Sequence, residues 1–466
     1  MPKRAFYLSI LCLLLAGCQG RGLIFAATPT PTASPTPAGT STPTPLPPLV
    51  VAIDPTVTRQ TLREVGGGNY IHYFGGVETA LDPVSTLNLK TLKPDVVRVR
   101  IDLDQWEPTA GVSGEARFHN ERHVKATFEF MQTARRENPN LLIAASVWKI
   151  ADWMVANPEQ AEGRVIPPEK YAAVIDSLAH WLMRARDEYG VEVDYISFNE
   201  ANIGITVLMS SAEQVEFIRQ AGPAFTEMGL KTRWLLGDAS SMAAAASYTP
   251  PIYAAEDIRP YLGPYSFHSW DSQVTDLILK EIGKFVDENG LEAWCTEAGW
   301  DPQQWNRPAE FPTWRHALKL ANIYTRVLRD TRATTMLYWE MMGRDYSIND
   351  GQNPFPALLY LAELKRHFPA GAQIVQTPDR EIETITVLSL AAKTPNGFAV
   401  QLVNQVNSER MVLLTGLPAG AYRLVRLSEA GGGRQELEAP LTTSDGQLQL
   451  TLPASSITFL STGAPE

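Results

Sequence analysis

The chain has 466 residues, of which 44% are hydrophobic and 9% aromatic. At about 100–200 residues per domain, this length allows two or three domains with a large core. The formal net charge is −11, and basic residues occur only in isolated pairs such as Arg135-Arg136. Because nucleic-acid binders concentrate Lys and Arg in patches, we expect no nucleic-acid partner. We also expect the chain to be monomeric.

The N-terminus has the pattern of an export signal. Lys3 and Arg4 precede an apolar run over residues 5–16, and a basic start followed by such a run is typical of secretory signals. The run ends in Leu15-Ala16-Gly17-Cys18, which resembles the lipobox of bacterial lipoproteins. The resemblance implies a signal peptide over 1–17, lipidation at Cys18, and an exported protein anchored to the cell membrane or cell surface. The alternative is an ordinary secretory signal, which also implies export.

Residues 18–48 are dominated by Thr and Pro. Such a segment cannot build a core and favours an extended conformation of about 3.1 Å per residue, so we predict a tether. Beyond the tether, Cys295 has no cysteine partner and lies in an apolar run. We therefore predict a buried structural thiol at this position rather than a nucleophile.

From residue 49 to 370, β-rich runs alternate with amphipathic helical patterns. Eight runs are predicted as strands: Val65–Tyr70, Val96–Asp102, Leu141–Val147, Tyr195–Phe198, Arg233–Gly237, Tyr265–His268, Ala293–Thr296 and Thr335–Trp339. Alternation of this length implies parallel pairing. The predicted fold class is therefore α/β, with a (β/α)₈ TIM barrel.

Residues 371–466 differ in character. Short β-rich segments such as Gly397–Val403 and Leu448–Leu452 are separated by Gly, Pro, Asn or Asp, which is the pattern of a small antiparallel sandwich. Residues 49–60 are a candidate further strand of it. We predict a C-terminal all-β sandwich that buttresses the barrel, and glycan binding by this domain is the alternative.

Two of the barrel strands are followed by glutamates. Tyr195-Ile-Ser-Phe-Asn199-Glu200 and Trp294-Cys-Thr-Glu297 are apolar runs that end in a carboxyl group, which is costly to bury without a partner or a function. Side chains at the carboxyl ends of barrel strands form the active face. Glycoside hydrolysis uses a pair of such carboxyls, and Asn199 adds an amide able to bind a sugar hydroxyl.

The two runs, together with Ser146-Val-Trp148-Lys-Ile-Ala-Asp-Trp-Met154, resemble glycoside hydrolase clan A, most of all families 30, 39 and 5. The resemblance implies that Glu200 is the acid/base and Glu297 the nucleophile of a retaining enzyme. Family 30 usually has proline after the Asn-Glu pair, where this chain has Ala201.

Further site residues follow from the same resemblance. Arg100 stands where the clan's second-strand arginine contacts the nucleophile, and such a cation would keep Glu297 ionised. His268 ends the sixth strand, where clan members place a histidine near the nucleophile. The alternatives are a structural ion pair of the Arg98–Asp102 type and a structural histidine.

Tryptophans follow several strands. Trp339 resembles the clan's eighth-strand tryptophan, which implies that it floors the subsite at the cleavage point. Trp148 and Trp270 also follow strand ends, as do Trp106 and Trp300. Tryptophan suits the C–H faces of sugar rings. Core packing is the alternative for each.

The histidines show no metal-ligand spacing, and Gly66-Gly67-Gly68 lacks the residue order of a phosphate-binding loop. We therefore expect no metal and no cofactor, and interpret the glycines as backbone room in the first barrel strand. The predicted function is retaining β-glycoside hydrolysis of oligo- or polysaccharide by double displacement. The alternatives are a non-catalytic glycan-binding surface lipoprotein and an inverting or transglycosylating enzyme; the sugar and the endo or exo mode stay open.

Overall fold

The computed structural model describes residues 47–70, 82–111, 121–343, 346–378, 386–437 and 440–463. The predicted signal peptide, Cys18 and all but the end of the predicted tether lie outside these residues. So does the segment that follows the first barrel strand. Among the described helices, none combines the length and the apolar character needed to span a bilayer.

Eight parallel strands close into a barrel. Strands β1 (Leu49–Ala52) and β2 (Asp54–Thr61) precede it. The barrel strands are β3 (Glu64–Asn69), β4 (Val96–Asp102), β5 (Leu142–Lys149), β6 (Tyr195–Phe198), β7 (Arg233–Ala239), β8 (Leu262–His268), β9 (Ala293–Ala298) and β10 (Ala333–Tyr338). Closure is completed where β10 pairs with both β9 and β3. All eight predicted strands are present, and the predicted fold class is confirmed.

Helices follow the barrel strands along the chain. They are α1 (Pro83–Leu92), α2 (Leu103–Trp106), α3 (Glu121–Glu137), α4 (Tyr171–Tyr189), α5 (Ser211–Glu227), α6 (Met242–Tyr253), α7 (Asp276–Asn289), α8 (Trp314–Asp330) and α9 (Pro356–His367). Local signals set their ends: Ser210 and Glu213 form a capping box before α5, and Gly190 ends α4 in the left-handed conformation. Helix α6 has an Ala-rich sequence with no distinct polar face, so it lacks the amphipathic pattern of a helix such as α8.

The first barrel strand depends on its glycines. A Cβ on Gly67 would lie 2.5 Å from the carbonyl oxygen of Val96, and one on Gly68 would lie 2.3 Å from Met341 Cγ. Both distances are too short for any side chain. The interpretation of this run as backbone room for packing is confirmed.

Two sheets build the sandwich. Strand β1 pairs with β14 (Arg410–Thr415), which pairs with β18 (Leu448–Leu452). The second sheet has the order β16-β15-β19-β13-β12-β11-β2, with β17 on β15. Its remaining strands are β11 (Gln373–Gln376), β12 (Val387–Thr394), β13 (Gly397–Asn404), β15 (Gly420–Ser428), β16 (Gly433–Glu436), β17 (Leu441–Thr443) and β19 (Ser456–Ser461).

Strands β1 and β2 therefore belong to the sandwich, although they precede the barrel in sequence. The predicted boundary, which assigned residues 49–370 to the barrel, is wrong for these two strands. The candidate extra sandwich strand within residues 49–60 is confirmed. The chain thus enters and leaves the barrel through one sandwich, which ties both ends of the barrel segment together.

The sandwich packs against α8 and α9. Trp314 Nε1 donates to the carbonyl oxygen of Ser455 at 2.7 Å, and Gln401 Nε2 donates to Thr325 Oγ1 at 2.7 Å. The rings of His367 and Phe459 stack with centroids 4.9 Å apart. Polar contacts and a buried ring pair together make this a tightly packed interface between the two parts of the molecule.

Candidate active site

The two strand-end glutamates meet in one cavity. Glu200 follows β6 with φ 49°, a backbone conformation uncommon for residues other than glycine, and Glu297 lies near the end of β9. Both are buried, with 8% and 2% of their surface exposed. One carboxylate oxygen of each, together with a ring nitrogen of His268, lies within 4.8 Å of the others.

A buried arginine holds Glu297 in place. Arg98 has no exposed surface, and its Nη1 donates to Glu297 Oε1 at 2.7 Å and to Asn69 Oδ1 at 3.0 Å. Its Nη2 donates to Asn199 Oδ1 at 2.6 Å and to Asp238 Oδ2 at 2.8 Å. The guanidinium therefore contacts four side chains, which lie on or directly after four other barrel strands.

The expectation that Arg100 contacts the nucleophile is wrong. Arg100 Nε donates to Asp102 Oδ1 at 2.5 Å, and its guanidinium lies 5.8 Å from the ring centroid of Trp148. Arg98 and Arg100 share one face of β4 because side chains alternate along a strand. The arginine that contacts Glu297 is Arg98, which lies two residues earlier on that face and deeper in the barrel.

Asp238, which the sequence analysis missed, lies beneath the two glutamates near the end of β7. Besides the bond from Arg98, it accepts hydrogen bonds from Ser197 Oγ at 2.5 Å and Thr296 Oγ1 at 2.6 Å. Burial opposes ionisation of this carboxyl, but Arg98, His268 and Ser197 hold its pKa well below its usual range. The sequence carries the same signal for Asp238 as for Glu297, since each directly follows an apolar run that is predicted as a strand.

His268 lies between the two glutamates at the end of β8. Its Nδ1 is 2.9 Å from Glu200 Oε1 and 3.3 Å from Glu297 Oε2, and its Nε2 is 3.4 Å from Asp238 Oδ1. Burial lowers the pKa of the imidazole, but the charges and hydrogen bonds of these three carboxyls outweigh it and raise the pKa to about 10.

Glu297 is subject to opposing effects. The pKa of its carboxyl is raised on balance: burial raises it most and the negative charge of Glu200 raises it further, while the positive charges of His268 and Arg98 offset this only in part. Trp270 Nε1 also donates to Glu297 Oε2, at 3.1 Å. Donors therefore reach both of its oxygens, an arrangement suited to a carboxylate anion.

Glu200, His268 and Glu297 are close enough to share a metal ion. The geometry here favours a proton over a metal, because Arg98 and a protonated His268 already place two positive charges beside the carboxyls. A further cation would be repelled by both. The expectation of no metal stays a prediction.

Asn199 supplies the amide that the sequence suggested. Its Oδ1 accepts from Arg98, which orients the side chain, and its Nδ2 is buried without a hydrogen-bond partner among the described residues. A buried donor without a partner is rare in native structures. Nδ2 is therefore a donor that the described part of the protein leaves unsatisfied.

Aromatic rings wall the cleft, which has a volume of about 400 Å³. Trp148 and Trp339 stack with centroids 5.1 Å apart, and Trp270 meets Trp339 edge-on at 6.5 Å. The described lining residues are Trp148, Glu200, Ile205, Trp270, Glu297, Pro302, Trp305, Trp339, Glu340 and Tyr346. The structure thus brings the three predicted tryptophans to the glutamates.

Two other tryptophans serve the core. Trp106 is 1% exposed and donates to the carbonyl oxygen of Ser177, while Trp300 packs against the barrel core. Neither is among the described residues that line the cleft. A position after a strand end therefore does not by itself distinguish the tryptophans of the cleft from those of the core. The direction of the loop after each strand decides where the tryptophan ring points.

No family model and no curated protein sequence matches the chain. Solved structures do. Xyn30A, a glycoside hydrolase family 30 subfamily 8 xylanase from Clostridium acetobutylicum, aligns with a TM-score of 0.70 and 15% identity over 89% of this chain and 99% of that one. The catalytic domain of family 30 xylanase C from Talaromyces cellulolyticus gives 0.68 and 18% over 88% and 99%.

An endo-β1,6-glucanase aligns with a TM-score of 0.60 and 14% identity, over 89% of this chain and 93% of that chain. At these identities the similarity establishes the fold. The chain therefore has the barrel-and-sandwich fold of these glycoside hydrolases.

Replacing Arg98 by methionine will destabilise the protein by about 3–5 kcal/mol, because it removes one of the two cations beside the buried carboxyls of Asp238 and Glu297. Urea denaturation at pH 7 measures the change in the free energy of unfolding. Arg219→Met, which removes ion pairs at the surface, is the control and should change stability little. Equal effects of the two variants would contradict the central role of Arg98.

His268 will titrate near pH 10, several units above the value of about 6.5 for an unperturbed imidazole. Because the pKa of the folded state is raised, its contribution to stability is fully present below pH 6.5 and is lost as the pH rises through about 10. NMR of histidine-labelled protein measures the titration, with His268→Asn assigning the signal. A midpoint near 6.5 would contradict the charge distribution described above.

Proposed function

We propose that the protein is a retaining β-glycoside hydrolase that acts by double displacement. The observation that carries the proposal is the approach of the Glu200 and Glu297 oxygens to within 4.8 Å. Retaining enzymes place their carboxyls about 5–5.5 Å apart, whereas inverting enzymes need about 6.5–9.5 Å to admit a water molecule. The short separation favours retention over inversion.

The surroundings of the two carboxyls assign their roles. Glu297 accepts hydrogen bonds from Arg98 and Trp270, which orient it for attack and stabilise its anionic form against the effect of burial. Among the described hydrogen bonds, Glu200 has none with Arg98. Its partner there is His268, which also lies beside Glu297. This environment suits Glu200 to proton transfer. Two carboxyls in different environments are what acid and nucleophile require.

In the first step, a Glu297 oxygen attacks the anomeric carbon while Glu200 protonates the leaving oxygen. The glycosidic bond breaks and a glycosyl ester forms on Glu297. In the second step, Glu200 takes a proton from water, whose oxygen attacks the anomeric carbon and releases Glu297. Negative charge moves from Glu297 to Glu200 and back, and the His268 imidazolium lies within 3.3 Å of both, where it stabilises each state.

A carbohydrate substrate is supported by the lining of the cleft. Trp148, Trp270 and Trp339 present ring surfaces to it, and sugar C–H faces pack well on such rings. Asn199 Nδ2 offers a hydrogen bond to a sugar hydroxyl. The xylanases and the glucanase with the same fold also support an oligo- or polysaccharide substrate.

Glu200→Gln will lower kcat on β-linked oligosaccharides by about 10²–10⁴-fold, the usual contribution of a general acid or base. The loss will be smaller for 2,4-dinitrophenyl glycosides, whose leaving group needs no proton. Glu297→Gln will abolish turnover on both substrates. Rates for both variants are compared with those of Glu281→Gln, an exposed carboxyl on α7, which should match the wild type.

Retention is tested separately. A 2-deoxy-2-fluoro glycoside of the preferred sugar should label Glu297, detected by peptide mass spectrometry, and NMR should show a product that keeps the β configuration. An α-configured first product would contradict double displacement. A wild type that binds glycan and hydrolyses no β-glycoside would support the non-catalytic glycan-binding alternative.

We also propose that the exported protein is held at the cell membrane or cell surface by a lipid on Cys18. The resemblance of residues 15–18 to a lipobox supports this location, as does the Thr/Pro-rich tether. Cys18→Ser should move the protein from the membrane fraction to the soluble exported fraction, measured by immunoblotting of fractions from a bacterial host. Unchanged fractionation would contradict lipidation at this residue.

A further inference from the structure

A third glutamate lines the cleft besides the two that carry out the proposed reaction. Glu340 directly follows Trp339 after the end of β10, is 4% exposed, and lines the same cavity as Glu200 and Glu297. A carboxyl is costly to bury unless it has a partner or a function. The double displacement uses only two carboxyls, so the reaction itself does not account for the presence of the third one in the cleft.

The order of the strands around the barrel places Glu340 opposite the acid/base. Strands β6 and β10 are four positions apart in either direction around the closed barrel, and Glu200 and Glu340 follow these two strands. Glu297 lies on β9, which pairs with β10. The nucleophile is therefore on the strand next to that of Glu340, whereas the acid/base comes from the far side of the cleft.

This arrangement shows which part of the substrate reaches Glu340. The leaving oxygen lies beside Glu200, which protonates it, and the anomeric carbon lies within reach of Glu297. The rest of the transferred sugar ring extends away from the leaving oxygen, and therefore away from β6 and towards β10. The hydroxyl groups remote from the anomeric carbon, those on C3, C4 or C6, are then the ones nearest Glu340.

The surroundings of Glu340 suit a sugar. Trp148, Trp339 and Tyr346 line the cleft with it, and each is less than 10% exposed. Their rings can pack on the C–H faces of a sugar, while a carboxylate accepts from its hydroxyl groups in charge-assisted hydrogen bonds. The two oxygens of a carboxylate can accept about four hydrogen bonds, so contacts of Glu340 within the protein leave capacity for a ligand.

We propose that Glu340 determines sugar specificity by accepting hydrogen bonds from hydroxyl groups on C3, C4 or C6 of the transferred sugar. This inference rests on the proposed glycosidase function and narrows its substrate to a neutral sugar at this position. The carboxylate of a uronic acid has acceptors only, so it would meet Glu340 as a like charge with no proton to share. Among the described residues that line the cleft, no lysine or arginine is present to bind it.

The test uses 4-nitrophenyl β-glycosides of whichever sugar the wild type hydrolyses best among xylose, glucose, galactose and mannose. The ratio of kcat/KM for the parent glycoside to that for each deoxy analogue measures the contribution of one hydroxyl group. In Glu340→Ala, the ratio for the 3-, 4- or 6-deoxy analogue should fall by about 10–100-fold, the usual contribution of a hydrogen bond to a charged group. Glu340→Gln keeps the shape of the side chain and should give a smaller fall, and the ratio for the 2-deoxy analogue should not change.

Glu64→Gln is the matched control, since Glu64 is a buried glutamate that pairs with Lys365 and is not among the described cleft residues; its ratios should equal those of the wild type. Ratios that stay unchanged in both Glu340 variants would overturn the proposal, as would a fall confined to the 2-deoxy analogue. So would a wild type that hydrolyses 4-nitrophenyl β-glucuronide as fast as the best neutral glycoside. A wild type inactive on every β-glycoside would instead refute the glycosidase function itself.

Discussion

The guanidinium of Arg98 is the interaction on which the arrangement of the site depends. Burying a cation costs several kcal/mol of lost hydration unless its hydrogen bonds are met. Here Asn69, Asn199, Asp238 and Glu297, each on or directly after a different barrel strand, accept four hydrogen bonds from its two Nη atoms. The cation is tolerated only when all of these strands are in register, so the site and the closed barrel form together.

The buried charged groups at the centre of the site interact strongly with one another. Arg98 and His268 oppose three carboxyls, Asp238, Glu200 and Glu297, within a volume from which most water is excluded. Electrostatic interactions gain strength in such surroundings, so the proton distribution among these groups is governed by their mutual distances. Asp238 lies beneath the glutamates and contacts both cations, which sets the positions of the groups that in turn contact Glu297.

The sandwich contributes through its connection to the barrel. Strands β1 and β2 precede the barrel in the chain, and β11 to β19 follow it. Both ends of the barrel segment are therefore held in the same sandwich. Its contacts reach α8 and α9, the helices that flank β10. Since β10 completes closure, packing at this interface supports the register that Arg98 requires.

Much of this could be read from local patterns. Continuous apolar runs predicted the strands, because in a barrel covered by helices both faces of each strand are buried. A carboxyl at the end of such a run is costly to bury unless it has a partner or a function. This argument identified Glu200 and Glu297 as candidates. The same rule applies to Asp238, which directly follows the predicted strand Arg233–Gly237 as Glu297 follows Ala293–Thr296.

What the sequence by itself determined was the barrel, the presence of a sandwich and the two strand-end glutamates, since each follows from hydrophobic periodicity within a short segment. Only the tertiary structure decided that Arg98 rather than Arg100 contacts Glu297, and that β1 and β2 join the sandwich. It also separated the tryptophans of the cleft from those of the core. These outcomes depend on strand register, depth in the barrel and loop direction, which are set by contacts between segments far apart in the chain.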